Sequence, residues 1–304
     1  MVLAHLLSMS SLQMPMGNAK QFDQFYTNPA VANECFNTVI DFFGTDIFLV
    51  EPSAGYGSFL FEGYDYYACD IEPKNDRIVQ QDFLKEDISS CLPKDRTIIT
   101  IGNPPFGHRS KLALEFLNKA LSFSKAICFI LPIQFQKYLT QKNIVETAYL
   151  VYDKVLNPKS FIYEDKPYSV RCCFQIWEND STRKDLRKRN NPKITHSDFI
   201  LLQYNGRPES LDYFNKDKYQ WDFAVPRQGF NDYTIKETNP DNMSRKKQWF
   251  FIKAKNKEVL NTLYDMDFEA LSRKNTSTPG FGKADFIAEY EKMTGKTDSI
   301  ERFY

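Results

Sequence analysis

The order of apolar and polar positions predicts a series of short strands and helices from residue 28 onward. The dipeptide Asn28-Pro29 opens a segment in which apolar side chains recur at helical spacing. Asn is a favoured N-cap and proline fits the first helical turn, so we expect a helix over residues 29–43. A second helical stretch lies at 110–124. Short apolar runs predict strands at residues 47–50, 66–69, 77–81, 97–102, 126–131 and 170–177.

The strand-like runs are continuous rather than alternating. Continuous apolar runs are typical of parallel strands that are covered on both faces. Strands that alternate with helices predict an α/β fold, a doubly wound and mostly parallel sheet of the Rossmann kind. In such a sheet, ligands bind outside the carboxyl ends of the strands, and four of these ends fall at Glu51, Asp70, Asp82 and Asn103.

A polar, basic stretch at residues 178–193 separates this pattern from a different one. Beyond it, strand-like runs and helical segments predict a mixed α+β domain, with strands at 199–204 and 249–252 and helices near 256–265 and 283–293. The chain is therefore expected to have three parts: a mobile N-terminal tail (1–20), an α/β domain (21–180) and a C-terminal domain (181–304).

Composition narrows the possible functions. The 304 residues carry no net charge, but residues 1–180 have 16 Lys and Arg against 21 Asp and Glu, and residues 181–304 have 23 against 18. A basic second half is typical of a module that binds a polyanion. Six cysteines without a CxxC pair and only three histidines predict reduced thiols, no bound metal and an intracellular location (cytoplasm, nucleoid or, for a viral protein, the host cell). No run approaches the about 20 apolar residues of a membrane span, so no membrane partner is expected.

The segment Glu51-Pro52-Ser53-Ala54-Gly55-Tyr56-Gly57 has the composition of a ligand-binding turn. Its two glycines let the chain turn sharply and let a ligand lie against bare backbone, where the following amides point at an anionic group. A dinucleotide fingerprint would require a third glycine where Leu60 stands. The alternative is a tight turn from a strand into a helix.

Two further strand ends carry acidic residues that suit a nucleoside. Asp70 ends the next strand, where a carboxylate can bind ribose hydroxyls. Asp82-Phe83 ends the third strand, and its side chains can contact an adenine amino group and cover the ring. A lone Asp at a strand end is usually a cap or solvated. Three acidic strand ends beside a glycine turn predict a nucleoside site.

The segment Asn103-Pro104-Pro105-Phe106 carries the most specific signal. Two prolines end the strand and make the segment rigid. An exocyclic aromatic amine is a poor nucleophile because its lone pair is delocalised into the ring. The Asn103 side-chain oxygen and the Pro104 carbonyl can accept hydrogen bonds from such an amine and leave its lone pair aimed at an electrophilic methyl group. Phe106 offers a face on which a base can stack.

Together these segments resemble the S-adenosylmethionine-dependent DNA adenine-N6 methyltransferases of the gamma group. In that group the cofactor motifs precede the catalytic motif, and a target-recognition domain comes last. The segment from Phe25 to Pro29 resembles the family's first cofactor segment, and the resemblance covers roughly residues 20–177. It implies S-adenosylmethionine as the cofactor, S-adenosylhomocysteine as the product, no metal, and an adenine flipped out of double-stranded DNA.

The resemblance also implies roles for the matching residues. The expected contacts to the methionine end and sulfonium are Tyr26, Thr27, Pro29, Glu51, Pro52, Ser53, Gly55 and Gly57. The expected contacts to the ribose and adenine of the cofactor are Asp70, Ile71, Asp82 and Phe83. The target base is expected to contact Asn103, Pro104, Pro105 and Phe106. A later aromatic should stack on the opposite face of that base, and the sequence leaves Phe161 and Tyr163 open.

The C-terminal basic residues are the expected contacts to DNA, because Lys and Arg neutralise phosphates with little sequence preference. They are Arg183, Lys184, Arg187, Lys188, Arg189, Arg207, Arg227, Arg245, Lys246 and Lys247. Family analogy makes this the modification enzyme of a restriction–modification system, a monomer or dimer that acts at the site of a cognate endonuclease. Two alternatives stay open: the same chemistry on an RNA adenine or a protein glutamine amide, and a non-enzymatic module that binds nucleic acid.

Overall fold

The computed structural model describes residues 26–157, 160–163, 166–274 and 278–295 of the chain. Two compact units are present, one formed by Met1–Leu131 and Asn143–Leu186 and the other by Pro132–Lys142 and Arg187–Tyr304. The sequence-based division assigns residues 132–142 to the first domain, whereas the structure groups them with the second unit. The expected N-terminal tail, residues 1–20, lies outside the described residues.

The first unit contains two α-helices and ten strands within the described residues. In chain order they are β1 (Tyr26–Thr27), α1 (Pro29–Phe43), β2 (Ile47–Glu51), β3 (Asp65–Asp70), β4 (Val79–Gln80), β5 (Thr97–Gly102), α2 (Lys111–Leu121), β6 (Ala126–Pro132, whose last residue belongs to the second unit), β7 (Tyr149–Val155), β8 (Phe161–Tyr163), β9 (Lys166–Tyr168) and β10 (Cys172–Glu178). Seven strands form one sheet in the order β4-β3-β2-β5-β6-β10-β7.

The central sheet is mostly parallel, as the continuous apolar runs predict. Strand β2 pairs in parallel with β3 and β5, β3 pairs with β4, and β5 pairs with β6. The last pair, β10 with β7, is antiparallel. A small antiparallel sheet, β1-β8-β9, aligns Thr27 with Phe161. The large mostly parallel sheet is consistent with the methyltransferase fold that the resemblance implies.

Helix α1 confirms the prediction over residues 29–43. The Asn28 side chain accepts a hydrogen bond from the Ala30 amide at 2.9 Å and caps the helix, while Pro29 occupies its first turn. The buried face of α1 packs against the apolar residues of β2, β5 and β6 in one core cluster, which includes Ala32, Cys35, Val39, Ile47, Leu49, Ile99, Ile101 and Ile130. This core fixes the strands whose ends carry the candidate site.

The predicted alternation of strands and helices is wrong between β2 and β5. The connections between strands β2, β3, β4 and β5, at residues 52–64, 71–78 and 81–96, form turns and one short 3-10 helix (Ser89–Cys91), with no α-helix. Pro52 begins this connection, and Gly55, Gly57 and Gly63 adopt positive φ angles of 52°, 86° and 85°, which do not fit a right-handed helix. Helix α2 is also shorter than the predicted 110–124: it begins after Ser110, which has a φ of 62°, and it ends at Leu121.

The second unit contains a three-stranded antiparallel sheet and short helices. Its elements are α3 (Tyr138–Gln141), β11 (Phe199–Tyr204), α4 (Lys216–Tyr219), β12 (Phe223–Gln228), β13 (Gln248–Ala254), α5 (Lys257–Tyr264), α6 (Phe268–Ser272) and α7 (Lys283–Thr294). The sheet order is β11-β13-β12, and a core rich in aromatic residues, including Trp221, Trp249 and Phe250, packs around it. None of the helices in the described ranges is long and apolar enough to cross a membrane.

Candidate functional site

A cavity of about 460 Å³ lies in the first unit at the carboxyl ends of its parallel strands. It is lined by Tyr26, Thr27, Glu51, Pro52, Ser53, Ala54, Gly55, Ser58, Phe59, Asp70, Ile71, Glu72, Gln81, Asp82, Phe83, Leu84, Lys85, Asn103, Pro105, Leu112, Glu115 and Phe116. The structure therefore brings together most of the residues that the sequence predicts to contact the cofactor or the target base. Of these residues, and among those with described side chains, Pro29, Gly57, Pro104, Phe106 and Phe161 do not line the cavity.

The glycine turn is tied to the end of β3 through Asp70. The Gly55 amide donates to Asp70 Oδ2 at 2.8 Å, and the Glu72 amide donates to Oδ1 at 2.8 Å. The Gly55 carbonyl accepts from the Lys74 amide at 3.0 Å. Each carboxylate oxygen has a further lone pair, so Asp70 can still accept from a hydroxyl. The turn and the strand end form one hydrogen-bonded unit.

Tyr26 of β1 covers this turn from the side. A Cβ atom on Gly55 would lie 3.2 Å from Tyr26 Cε1, closer than side chains usually approach, and Gly55 has a φ of 52°. The ring of Tyr26 packs edge to face against Tyr56, with centroids 4.6 Å apart. Burial, with the nearby Tyr56, Asp70 and Glu72, raises the pKa of Tyr26 to about 12. Its hydroxyl therefore stays protonated and can donate a hydrogen bond.

Glu51 is a buried carboxyl at the end of β2. Only 3% of the residue is exposed, and among the described residues its Oε2 atom has no hydrogen-bond partner. Burial raises the pKa of Glu51 well above its ordinary value, and the neighbouring Asp70 raises it further, while a hydrogen bond from the Phe59 backbone opposes the change. A buried carboxyl group without a hydrogen-bond partner can bind a ligand that is positively charged or donates a hydrogen bond.

The Asn103 segment begins one residue after β5 and opens on the same cavity. The Ser53 hydroxyl donates to the Asn103 carbonyl at 3.3 Å, which connects the segment to the turn after β2. Asn103 and Pro105 line the cavity, and Pro104 between them is buried. The rigid segment Asn103–Phe106, here called the Asn103 corner, therefore lies beside the acidic strand ends.

Phe106 and Phe161 contact each other directly. Their ring centroids lie 6.5 Å apart at an interplanar angle of 85°, and the residues are 7% and 0% exposed. A purine between two parallel rings would need about 7 Å between their planes, at about 3.5 Å of contact on each side. In this arrangement the two rings cannot sandwich a base, so Phe161 provides no second stacking face here. The side chain of Tyr163 lies outside the described residues.

The far end of the cavity is built from the loop after β4 and from α2. Asp82 pairs with Lys85 at 2.9 Å and accepts from the Leu84 amide at 3.1 Å, contacts that lower the pKa of its carboxyl. Phe83 is buried against Phe116, with ring centroids 5.2 Å apart. Ile71 is 53% exposed at the rim.

Helix α2 contributes lining residues that the sequence reasoning missed, namely Leu112, Glu115 and Phe116. The amphipathic pattern of that helix predicted a face turned to the sheet, but not which turn of the helix would reach the site. With Glu115, the cavity lining has five carboxyl residues and one lysine: Glu51, Asp70, Glu72, Asp82, Glu115 and Lys85. This balance favours a ligand with positive charge.

Residues 60–196 match the family model of the EDM2 methyltransferase-like domain. The match covers 137 of the 304 residues, and over this stretch the chain is similar to a methyltransferase-like domain. The match includes the ends of β3 and β5, with Asp70 and Asn103, and begins after the glycine turn. No curated protein matches the chain.

Two solved structures are similar to this chain at low identity. One is a candidate RNA methyltransferase from Pyrococcus horikoshii, with 15% identity and a TM-score of 0.39, covering 54% of this chain and 90% of that one. The other is a modification subunit of a candidate type I restriction enzyme from Vibrio vulnificus, with 14% identity and a TM-score of 0.39. That alignment covers 77% of this chain and 60% of the subunit.

The predicted DNA-binding residues have different surroundings in the structure. Arg183 is held within the first unit: it donates to Glu178 Oε1 at 2.6 Å and to the Phe42 carbonyl at 2.9 Å, and it lies 4.9 Å from the Phe42 ring centroid. These contacts use part of its guanidinium, and the residue remains exposed. Among the described residues, no group of three or more His, Cys, Asp or Glu is placed to hold a metal ion.

The remaining basic residues belong to the second unit, except Lys184, which is exposed in the first. Some of them make side-chain contacts within the second unit, and others are exposed. Arg187 donates to the Gln141 carbonyl at 2.9 Å, and Arg227 donates to Gln248. Arg245 lies over the Phe214 ring and Lys247 over Phe230, at 4.8 and 4.5 Å from the centroids. The exposed positions are Lys184, Lys188, Arg189, Arg207, Arg245, Lys246 and Lys247.

Proposed function

We propose that the methyltransferase-like domain transfers a methyl group from S-adenosylmethionine to the N6 amine of an adenine flipped out of double-stranded DNA. The observation that carries this proposal is the position of Asn103 and Pro105. They line the same cavity as the acidic strand ends and the glycine turn. A site for an aromatic amine thus adjoins a site for a nucleoside with a cationic group, as transfer between the two requires.

The residues present fit S-adenosylmethionine. The cavity is in the size range of small-ligand sites. Its acidic lining and the orphaned Glu51 Oε2 suit the positively charged methionine end, and Asp70 can accept from ribose hydroxyls. At the turn, Gly55 presents only its backbone to a ligand, since a Cβ atom at this position would contact the ring of Tyr26. When bound, S-adenosylmethionine supplies an electrophilic methyl group on a sulfonium.

The Asn103 segment would orient the acceptor. In this proposal, the Asn103 side chain and the Pro104 carbonyl accept the two N–H groups of the adenine amine, which favours a pyramidal nitrogen with its lone pair free. The prolines hold both acceptors in place without reorganisation, and such preorganised groups lower the barrier. No strong general base is required, because the proton of the methylated amine can leave to water.

In this proposal, the aromatic residues near the Asn103 corner offset the free-energy cost of extruding the base from the duplex. Flipping a nucleotide out of a duplex costs a few kcal/mol, and stacking returns about 1–3 kcal/mol per base. Phe106 must expose its face for this, because it is 7% exposed and packed against Phe161. We therefore propose that Phe106 or Phe161 turns when the base enters, with Tyr163 open as the second stacking residue.

The basic second half supports a nucleic acid over a protein substrate. Residues 181–304 carry 23 Lys and Arg against 18 Asp and Glu. Phosphate contact is proposed for Arg183, Lys184, Arg187, Lys188, Arg189, Arg207, Arg227, Arg245, Lys246 and Lys247. Modification of a site shared with a cognate restriction endonuclease is part of the same proposal.

The test is incubation of the protein with labelled S-adenosylmethionine and, separately, unmethylated genomic DNA, total RNA and a protein extract. Digestion of the DNA to nucleosides and mass spectrometry should find N6-methyladenine. The Asn103→Ala protein serves as a matched control and should give none. Label on RNA adenine or on protein glutamine, with none on duplex DNA, would show that the proposed substrate is wrong.

A further inference from the structure

Glu51 is a buried carboxyl that has no partner to compensate a negative charge among the described residues. Its Oε2 atom is buried and, among the described residues, has no hydrogen-bond partner, and no Lys, Arg or His there forms an ion pair with it. The charged group that acts on the pKa of Glu51 is another carboxylate, Asp70, and it raises that pKa further. A buried carboxylate in such a place would carry an uncompensated charge, which is costly.

The groups around Glu51 do not supply that compensation. From β3, Asp70 and the thiol of Cys69 are its neighbours, and burial together with the two carboxylates raises the pKa of Cys69 to about 12, so the thiol stays neutral. From the turn after β2, the Phe59 backbone gives one hydrogen bond. Other titratable groups of the lining are Tyr26, Glu72, Asp82, Lys85 and Glu115. The single cation among them, Lys85, is paired with Asp82.

Resting on the proposed function, we infer that Glu51 holds a proton in the ligand-free site and releases it when the cationic methionine end of S-adenosylmethionine enters. The O–H bond of the carboxyl breaks, the proton passes to the buffer, and the carboxylate pairs with the incoming positive charge. Ligand charge thus replaces the proton as the partner of a buried acid. The site would select for a positively charged donor through this exchange, and donor affinity would depend on pH.

This exchange predicts a linkage that can be measured. If one proton leaves on binding, donor affinity rises about tenfold per pH unit while Glu51 is protonated in the free protein. A ligand that keeps the nucleoside but lacks the positive groups, such as 5′-deoxy-5′-methylthioadenosine, should show no such dependence. Replacing Glu51 by Gln should remove the dependence and weaken donor binding about 10- to 100-fold, the size of a lost charge-assisted hydrogen bond.

The experiment is isothermal titration calorimetry of the full chain at pH 6.5 in two buffers of different ionisation enthalpy. At this pH the α-amino group of the donor, with an ordinary pKa of about 7.7–8.0, is already protonated, so released protons come from the protein. S-adenosylmethionine should release close to one proton from the wild type and none from Glu51→Gln. Glu62→Gln is the matched control, because Glu62 is exposed and does not line the cavity, and it should behave as the wild type.

The outcomes separate this inference from the proposed function. If S-adenosylmethionine binds and the wild type and Glu51→Gln release the same number of protons, the inference is wrong and the proposed function stands. If S-adenosylmethionine does not bind at all, the proposed function fails and the inference with it. Should Glu51→Gln not fold, wild-type affinities for S-adenosylmethionine and 5′-deoxy-5′-methylthioadenosine between pH 5.5 and 8 give the same test. Parallel pH dependences for both ligands would contradict the inference.

Discussion

The backbone amide of Gly55 donates a hydrogen bond to Asp70 Oδ2 at 2.8 Å. The contact joins the turn after one strand to the end of the neighbouring strand, and Asp70 completes it by accepting from the Glu72 amide. A carboxylate with two backbone donors is held in one orientation. Asp70 therefore shapes the ligand-binding turn before any ligand enters, in addition to the ribose contact proposed for it.

Replacing Asp70 by Asn should weaken both the fold and the site. The amide keeps one acceptor oxygen but turns an NH2 group toward a backbone N–H, so one buried donor is left without an acceptor. We expect the free energy of unfolding to fall by about 1–3 kcal/mol. Chemical denaturation measures this, and Asp76→Asn, at an exposed position, is the control that should show no loss. Equal stability of the two variants would contradict the structural role of Asp70.

Gly55→Ala and Gly63→Ala form a matched pair. Both glycines have positive φ angles, 52° and 85°, so alanine costs about 1 kcal/mol at either position. Only at Gly55 would the new Cβ meet a neighbour, Tyr26 Cε1 at 3.2 Å, whereas no atom lies within 4 Å at Gly63. We expect both variants to lose stability and Gly55→Ala alone to lose binding of S-adenosylmethionine. Calorimetry of both variants decides this, and equal binding would show that Tyr26 and the turn are not part of the ligand site.

Strand ends with polar residues were predictable because the apolar runs before them are long and continuous. The runs at β2, β3 and β5 predicted strands whose last residues, Glu51 and Asp70, or the residue just after, Asn103, line one cavity. Strand β12 was missed because Pro226 interrupts it. The strand tolerates proline because it lies at the edge of its sheet. Strand β7 was missed for a similar reason: it is an edge strand, and its second half is polar.

Side-chain orientation could not be read from the sequence. The sequence left Phe161 and Tyr163 open as the second stacking face, and the edge-to-face packing of Phe106 and Phe161 depends on how β8 pairs with β1, a long-range contact. Likewise, Arg183 looked like a phosphate contact in a basic stretch, and only the fold shows that Glu178 and Phe42 hold it. The local sequence pattern predicts which residue types lie near a site, whereas the residues that each side chain contacts depend on tertiary packing.

Glu51→Gln should change how stability depends on pH. Because the folded protein raises the pKa of Glu51, its protonated form favours folding. This contribution is full below the ordinary value of 4.5 and is lost as pH rises through the raised value in the folded state. Gln carries no charge to bury, so we expect Glu51→Gln to gain stability over the wild type as pH increases from 5 to 9. Thermal melts of both proteins across this range test it; a constant difference would contradict a buried, titrating Glu51.

Lys246→Gln should weaken binding to DNA without altering sequence preference. Lys246 is exposed in the basic loop before β13, and a phosphate contact there would release about one counterion. The slope of log affinity against log salt should become shallower by about 0.9. Fluorescence anisotropy with duplex DNA measures the slope, and Lys94→Gln, exposed in the first unit, is the control expected to leave it unchanged. An unchanged slope for Lys246→Gln would remove this loop from the proposed interface.

The most direct measurement compares cofactor binding with methyl transfer in Asn103→Ala. Asn103 is proposed to hold the acceptor amine, so its loss should leave the affinity for S-adenosylmethionine within about twofold, while transfer to DNA adenine falls about 100-fold or more. Circular dichroism checks that the variant is folded, calorimetry gives the affinity, and mass spectrometry of N6-methyladenine gives the rate. If a folded Asn103→Ala protein transferred the methyl group at the wild-type rate, the proposal that Asn103 holds the adenine amine would be wrong.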